Sequence, residues 1–422
     1  MNDSINLKRR ELLKNISLIS GAAVLSGSVS WLNNLNAAEP STGTKIKLGL
    51  IGVGSRGLYH LNILKTIPDA DIVAICDDYQ PSIDAAKAAL GRDVKVYTNY
   101  KELIAQKDID AVLIATPLFL HAEMTIDALQ AGKHVFCEKA MAISIEQCIS
   151  MVKTQKQTGL ALQIGHQRMF GPDYLNALKR IKEGEIGKIT QIRAFWHRNN
   201  NWRRAIPGND LERKINWRLY LDYSRGLMTE LASHHIQIAN WYLGERPDYV
   251  MGSGSINYWK DGREVFDNVN LVYHYPSDVH MIYDSVISNV HYGLEAQIMG
   301  NLGTLEMEKR RIYLENPEPA PGIVQLIESV ERGMFSTLPL AGSSWVPDHS
   351  VDKNGKPFLE SIPEDENVLQ WISFINTVRT KKFDAELLKQ GYQASVACLM
   401  GHEAMMSKQT IYWKKEWDFE SI

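Results

Sequence analysis

The stretch Lys45-Ile46-Lys47-Leu48-Gly49-Leu50-Ile51-Gly52-Val53-Gly54-Ser55-Arg56-Gly57 decides the fold. A short β-type apolar run stops on glycines spaced as GxGxxG, and an amphipathic helical pattern follows through Leu58, Leu61, Ile63 and Leu64. The spacing alone is weak, and its setting carries the reading. A second apolar run, Ile72 to Cys76, ends at Asp77. Gly52 permits a tight turn, Gly54 lets backbone approach a pyrophosphate, Gly57 lets the helix pack close, and the helix N-terminus faces negative charge. Ser55 and Arg56 complete the loop. Asp77 is placed to accept from ribose hydroxyls and to repel a 2′-phosphate. Asp78 adds to that repulsion and Arg56 works against it, so NAD is expected ahead of NADP.

The alternation continues outward. A helical pattern over Ser82 to Leu90 leads to Val94-Lys95-Val96-Tyr97, a helix follows from Tyr100, and the buried strand Ala111 to Ala115 closes on Thr116-Pro117. A helix from His121 to Ala131 then precedes the strand His134 to Cys137 and Glu138-Lys139-Ala140. Strands alternating with helices of this length predict a parallel sheet with right-handed crossovers. Ligands on such sheets sit at the carboxyl ends of strands, where Gly52, Asp77, Thr116, Pro117, His121, Glu138 and Lys139 fall.

Beyond about residue 165 the pattern changes. Ile189 to Trp196, Tyr249 to Tyr258, Asn268 to Tyr275 and Val279 to Ile287 are long β-type segments, several alternating polar and apolar, as an antiparallel sheet with one solvated face requires. Between them Glu230 to Leu243 reads as a helix ending at Gly244. Residues four apart share a helix face, so Glu230 and His234 are expected to point into one cleft, the carboxylate fixing the imidazole tautomer for general base work. His235 faces another way and reads as structural. The stretch Trp196 to Arg225 is rich in Trp, Arg and Asn. Trp196, Arg203, Arg204, Trp217 and Tyr220 are candidate walls for a sugar, which offers hydroxyl edges and apolar C–H faces; Arg203 and Arg204 could also meet an acidic sugar. The same residues could instead form core and a solvated or subunit-contact face. Asn367 to Lys408 carries helical periodicity and is expected to pack on the first domain, with Met400, Met405 and Met406 filling core gaps. Asp348 to Ile362 reads as a surface loop.

At roughly 150 residues per domain, 422 residues hold two or three domains. Hydrophobic content of 45% and charged content of 23% exclude collagen, coiled-coil rods and wholesale disorder. A net charge of −3 lacks the basic excess that phosphate-tracking proteins need, so no nucleic-acid partner is expected. Four cysteines without CxxC or nearby histidine pairs suggest neither zinc nor a disulfide framework, and no metal is expected. Residues 1–38 differ from the rest. Lys8-Arg9-Arg10 precedes an uncharged segment diluted by Gly, Ala and Ser, and Asn36-Ala37-Ala38 offers small residues for cleavage. This reads as a twin-arginine export signal, implying a periplasmic protein with no stable membrane anchor. The expected division is a leader at 1–38, a nucleotide domain at 45–165 and a substrate domain at 166–422.

Taken together, GxGxxG, Thr116-Pro117 with His121, Ala131-Gly132-Lys133-His134-Val135, Glu138-Lys139, Gly184-Glu185-Ile186-Gly187 and the Glu230/His234 pair resemble the Gfo/Idh/MocA oxidoreductase family across nearly the whole chain after the leader. The resemblance implies an α/β protein: an N-terminal Rossmann dinucleotide-binding domain, then an α/β domain with a large, mostly antiparallel open sheet. It implies oxidation of a sugar or polyol carbinol, with Lys139, His234 and Glu230 catalytic, and a homodimer or homotetramer. Ala140 stands where the family usually has proline, often cis, which leaves the geometry of that peptide open. Free NAD is not expected outside the cytoplasm, so an exported enzyme would hold its nucleotide through turnover. The alternative is a redox-neutral glycosidase or lyase that oxidises, eliminates and re-reduces. Glycosidases of this superfamily resemble the family but carry Tyr-Pro-Thr-His-Gly around the histidine, where this chain reads Leu231-Ala232-Ser233-His234-His235.

Overall fold

The computed structural model describes residues 44–315, 355–359 and 365–422. The leader at 1–38 and most of the expected 348–362 loop lie outside them. The first sheet has strands β1 (Ile46–Ile51), β2 (Ala70–Cys76), β3 (Lys95–Tyr97), β4 (Ala111–Ile114), β5 (His134–Cys137) and β6 (Leu162–Ile164). Their order is β3-β2-β1-β4-β5-β6, and every pairing is parallel. Helices α1 (Ser55–Leu64), α2 (Gln80–Leu90), α3 (Tyr100–Ile104), α4 (His121–Gln130) and α5 (Ile145–Thr158) make the crossovers. β4 is buried at every position, as a strand covered on both faces must be. The strand order reverses direction at β1. The crevice between the carboxyl ends of β1 and β4 is therefore the switch point where such sheets take ligands.

After α6 (Pro172–Lys182) the chain enters the second sheet. Its strands are β7 (Ile189–His197), β8 (Tyr249–Ser255), β9 (Asn268–His274), β10 (His280–Val286), β11 (Leu294–Gly300), β12 (Gly303–Glu306), β13 (Arg311–Leu314), β14 (Lys356–Pro357) and β15 (Ile411–Tyr412). The order is β14-β13-β12-β11-β7-β10-β9-β8-β15. Only the β7/β10 pair is parallel among the described pairings. β9 and β10 alternate buried and partly exposed positions, so one face is covered and the other is open. A Rossmann-type parallel sheet followed by a mostly antiparallel one is the fold class the sequence implied.

Between β7 and β8 a long excursion contains the single-turn helix α7 (Glu212–Ile215), then a π turn at Met228–Ala232 that runs into α8 (Ser233–Leu243). Two helices follow the second sheet, α9 (Glu366–Thr380) and α10 (Ala385–Ser407). α9 packs on the first sheet: Trp371 stacks on Phe136 of β5 with centroids 4.2 Å apart, and Phe374, Ile375 and Val378 join the same core as Leu48, Leu50 and Leu113. In α10, Met400 and Met405 are buried while Met406 is 47% exposed. Among the described residues no helix is long and apolar enough to cross a membrane.

Candidate active site

The glycine loop is shaped by contacts that exclude side chains. Gly52 has φ +83°, and a Cβ there would sit 2.8 Å from Ala115 backbone. A Cβ on Gly57 would collide with Gly52 O, whereas one on Gly54 would meet nothing within 4 Å. Gly54 thus faces open space beside the N-terminus of α1. No side chain caps that helix, so its first N–H groups are left for an anion. Asp77 closes the other side. Its Oδ2 accepts from Val53 N and its Oδ1 from Tyr79 N, both at 2.9 Å; burial raises its pKa against those two bonds. Ser55, exposed at the first turn, flanks the opening. A dinucleotide fits this cradle: pyrophosphate at the loop and α1, ribose at Asp77.

Three residues placed on the cofactor by their position in the sequence turn out to be engaged with protein. Arg56 donates through Nε to Glu138 Oε1 at 2.8 Å and through Nη2 to Asn367 at 3.3 Å, so it is not poised for a 2′-phosphate. Glu138, 5% exposed, also accepts from His60 Nε2 at 2.6 Å and from Lys139 N at 3.1 Å. Burial alone would raise its pKa; the Arg56 guanidinium and the His60 hydrogen bond overcome this and hold it below the usual carboxylate range. His121 is 2% exposed and lies between two carbonyls, Ala140 O at 2.9 Å and Thr116 O at 3.0 Å. It staples the Thr116-Pro117 turn to the Lys139-Ala140 turn. Thr116 Oγ1 is buried without a protein partner.

His60 was not singled out in the sequence. It lies on the same face of α1 as Gly57, Leu61 and Leu64, and a histidine within an apolar stripe was the available signal. Its Nδ1 accepts from Trp371 Nε1 at 2.8 Å. An indole can only donate, so the His60 proton sits on Nε2, toward Glu138.

Lys139 and the second domain meet at the switch point. The Lys139-Ala140 peptide is cis. Lys139 Nζ donates to Glu230 O at 2.8 Å and Thr229 O at 3.2 Å, the backbone of the π turn; burial lowers its pKa, opposed by Glu230 and Glu138. The expected union of Glu230 with His234 is not made. Glu230 Oε2 pairs with Arg218 Nε at 2.7 Å, because the π turn around Glu230 breaks the regular i, i+4 register into α8. Burial would raise Glu230, and Arg218 and Lys139 together bring it below its ordinary value.

His234 is 7% exposed, and neither ring nitrogen hydrogen-bonds to a described residue. Its ring lies 5.8 Å from Trp196 and 6.1 Å from His166. Burial pushes its pKa well down, with Lys139 and Arg168 adding to the effect, so it is a neutral imidazole. His166 is pushed down to about 3 by burial and by Lys139. His166 and Arg168 were given no role in the sequence reading, yet both line this region. Arg168 is 5% exposed, its Nη2 is on Glu308 at 3.0 Å and its Nη1 has no partner. His235 is buried between Trp196 and Tyr283.

The proposed sugar walls divide. Trp196 stands beside His234. Trp217 packs on Leu118, Ala140 and Ile143, with Arg218 over its ring at 4.3 Å. Arg203 and Tyr220 are corrected: Arg203 is tied to Glu212 and Asp261, and Tyr220 Oη donates to Glu212 at 2.6 Å. Their polar ends hold the excursion together rather than face the cleft. Arg204 is exposed, with its backbone pinned to Asn216. The excursion also reaches across the first sheet. Lys214 Nζ pairs with Asp78 Oδ2 at 2.9 Å beyond β2, and Tyr223 meets Phe119 edge-on at 4.7 Å beyond β4. Since β2 and β4 flank β1, residues 214–223 bridge the glycine loop like a strap.

Known proteins match both halves. A model described as "Oxidoreductase family, NAD-binding Rossmann fold" matches residues 46–166, and one described as "GFO/IDH/MocA C-terminal domain" matches residues 174–306. The scyllo-inositol 2-dehydrogenase (NAD(+)) of Bacillus subtilis is 30% identical over 213 residues, covering 50% of this chain and 58% of that protein. The alpha-N-acetylgalactosaminidase of Shewanella oneidensis is 27% identical over 282 residues, 59% of each chain. The chain therefore aligns with under two thirds of the length of these relatives. In structure, scyllo-inositol dehydrogenase from Lactobacillus casei, solved with bound NAD(H) and scyllo-inositol, superposes with a TM-score of 0.64 at 22% identity, covering 87% of this chain and 99% of that one; this likeness speaks for the fold. With the nucleotide cradle intact and both domains matched, the chain belongs to the Gfo/Idh/MocA oxidoreductase family.

Proposed function

We propose that the protein is an exported oxidoreductase that moves a hydride between a sugar or polyol carbinol and a tightly held NAD. The observation that carries the reading is His234: a neutral, buried imidazole without a described hydrogen-bond partner, close to Lys139, while Glu138 and Glu230 are already engaged. The glycine loop, the α1 N-terminus and Asp77 would hold the nucleotide, which when bound supplies the hydride acceptor. His234 takes the proton of the substrate hydroxyl. Lys139, anchored through two carbonyls, directs its remaining hydrogen-bonding capacity toward that hydroxyl and fixes its orientation. Trp196, whose ring lies 5.8 Å from that of His234, lines the approach to it. The leader at 1–38 supports export, and export supports retention of the cofactor, because hydride must then be returned within the same bound pool.

The test is purification of the exported protein without added nucleotide, followed by absorbance in the reduced-nicotinamide band as sugars are added, with product analysis. Stoichiometric reduction that turns over only when a second carbonyl compound is supplied is the expected result. A second reading, redox-neutral glycoside cleavage, is favoured by the galactosaminidase name carried by one relative. Cleavage of a glycoside with no net change in cofactor would establish it and sink the first.

A further inference from the structure

Resting on the carbohydrate reading, the way arginines are paired around the cleft narrows the substrate further. The excursion from β7 to α8 carries Arg198, Arg203, Arg204, Arg213, Arg218 and Arg225. Most have acceptors. Arg203 is held by Glu212 and Asp261, Arg213 by Glu264, Arg218 by Glu230, and Arg225 by the carbonyl of Leu221. The guanidinium groups of Arg198 and Arg204 have neither a carboxylate nor a hydrogen-bond acceptor among the described residues.

Both stand at the cleft. Arg198 lies over Trp196, its Cζ 4.9 Å from the ring centroid, and that same ring is 5.8 Å from His234. Arg204 lies near enough to Arg218 for the two charges to repel, and Arg218 holds Glu230, whose carbonyl receives Lys139. Its backbone is fixed by the 2% exposed Asn216, which accepts from Arg204 N at 2.7 Å and donates to Arg204 O at 3.1 Å. So the main chain of Arg204 is anchored while its charged end is left open. Partial burial pushes both guanidinium groups down from their ordinary pKa. A third observation is independent of these two. Arg168, 5% exposed and with its Cζ 5.8 Å from the same Trp196 ring, keeps Nη1 without a partner. Leaving a buried donor unmatched, as at Arg168 Nη1, is unfavourable unless an acceptor completes it, and the charge of Arg218 beside Arg204 favours an anion there.

We infer that the sugar taken by this cleft carries a carboxylate, received by Arg198 and Arg204 at the mouth, with Arg168 adding positive potential beside Trp196. A guanidinium presents a planar fork that matches a carboxylate in two parallel hydrogen bonds. The remainder of the sugar then lies along Trp196 toward His234.

The experiment uses the full chain as purified and titrates matched pairs: glucuronate and glucose, galacturonate and galactose, mannuronate and mannose. Binding is followed by calorimetry, and nucleotide occupancy, whether retained or added as NADH, by nicotinamide fluorescence. At least one uronate is expected to bind about tenfold or more tighter than its neutral partner, the worth of one charged hydrogen-bonded contact. Arg198→Ala and Arg204→Ala should each reduce that ratio while NADH still binds, the latter showing that the variants fold. A neutral hexose bound as tightly as its uronate, a preference that survives both substitutions, or an NADH-binding protein that takes none of the six sugars overturns the inference. A 6-sulfated hexose preferred to every uronate overturns the choice of carboxylate. Oxidation of neutral sugars with uronates ignored removes this inference and leaves the oxidoreductase standing. A protein that carries no nucleotide, binds no added NADH and takes none of the sugars removes the two together.

Discussion

Arg218 Nε lies 2.7 Å from Glu230 Oε2, and this pair withdraws from His234 the carboxylate that helical spacing had assigned to it. Both side chains are mostly buried, at 31% and 13% exposure. The role left to Glu230 is to hold Arg218 and, through its carbonyl, Lys139. Glu230→Gln should therefore lower kcat by less than about tenfold, whereas His234→Ala, which removes the proposed proton acceptor, should cost about a hundredfold or more with NADH affinity retained. Steady-state kinetics on the two variants decides it, and equal losses would return Glu230 to the chemistry.

The pH profile follows from the same burial. His234 is held well below the ordinary imidazole value of 6.5. A base works in its unprotonated form, so kcat/KM should stay level as pH falls through 6.5 and decline only below it. An acid limb at or above 6.5 that disappears in His234→Ala would contradict the neutral buried imidazole.

Glu366 gives a stability prediction of the opposite sign to an ordinary ion pair. Burial raises its pKa to about 7; Arg168 opposes this, and Asp173, Glu308 and Asp365 reinforce it. The unfolded group titrates near 4.5. A folded value above the unfolded one contributes stability that is present below the unfolded pKa and is lost as pH rises through the folded pKa. Glu366→Gln should thus stabilise the protein at pH 8 relative to pH 4 by about 1–3 kcal/mol, read from denaturant midpoints at the two pH values. A pH-independent difference would refute the placement.

Trp371 and His60 are 311 residues apart in sequence and 2.8 Å apart in the fold. Trp371→Phe removes the donor that fixes the His60 tautomer and leaves a buried acceptor unmet, at a cost of about 1–3 kcal/mol. In a double-mutant cycle with Glu138→Gln the two losses should be non-additive, since both act on His60. Additive losses would mean the three residues do not form one chain.

Lys214→Ala removes one end of the strap. An exposed ion pair is worth up to about 1 kcal/mol, so NADH release, followed by stopped-flow fluorescence, should accelerate by no more than about fivefold. No change would place the strap clear of the nucleotide.

What could be read in the sequence was local. Gly52 and Gly57 announce themselves because a Cβ at either would strike neighbouring backbone, and β4 because a strand covered on both faces is apolar throughout. β11, β12 and β13 went unread: the last two are four residues each, and their alternation is too short to register. His60 and Arg168 escaped because their meaning lies in distant partners, Trp371 for one and Glu308 for the other. Glu230 escaped for the opposite reason. Its partner Arg218 is only 12 positions away, but Arg218 sits in a 3-10 turn at Trp217–Leu219 and Glu230 in the π turn, which follow no common helical period, so the pairing could not be read from spacing.

The strap of residues 214–223 has a kinetic consequence. It bridges the ends of β2 and β4 above the glycine loop, while Trp196 and His234 belong to β7 and α8 of the second domain. On the proposed function, sugar and nucleotide would enter by separate routes, so that a sugar could exchange while the nucleotide stays held. With a donor and an acceptor sugar supplied together, such a protein should show parallel double-reciprocal lines, each sugar arriving only after the last has left.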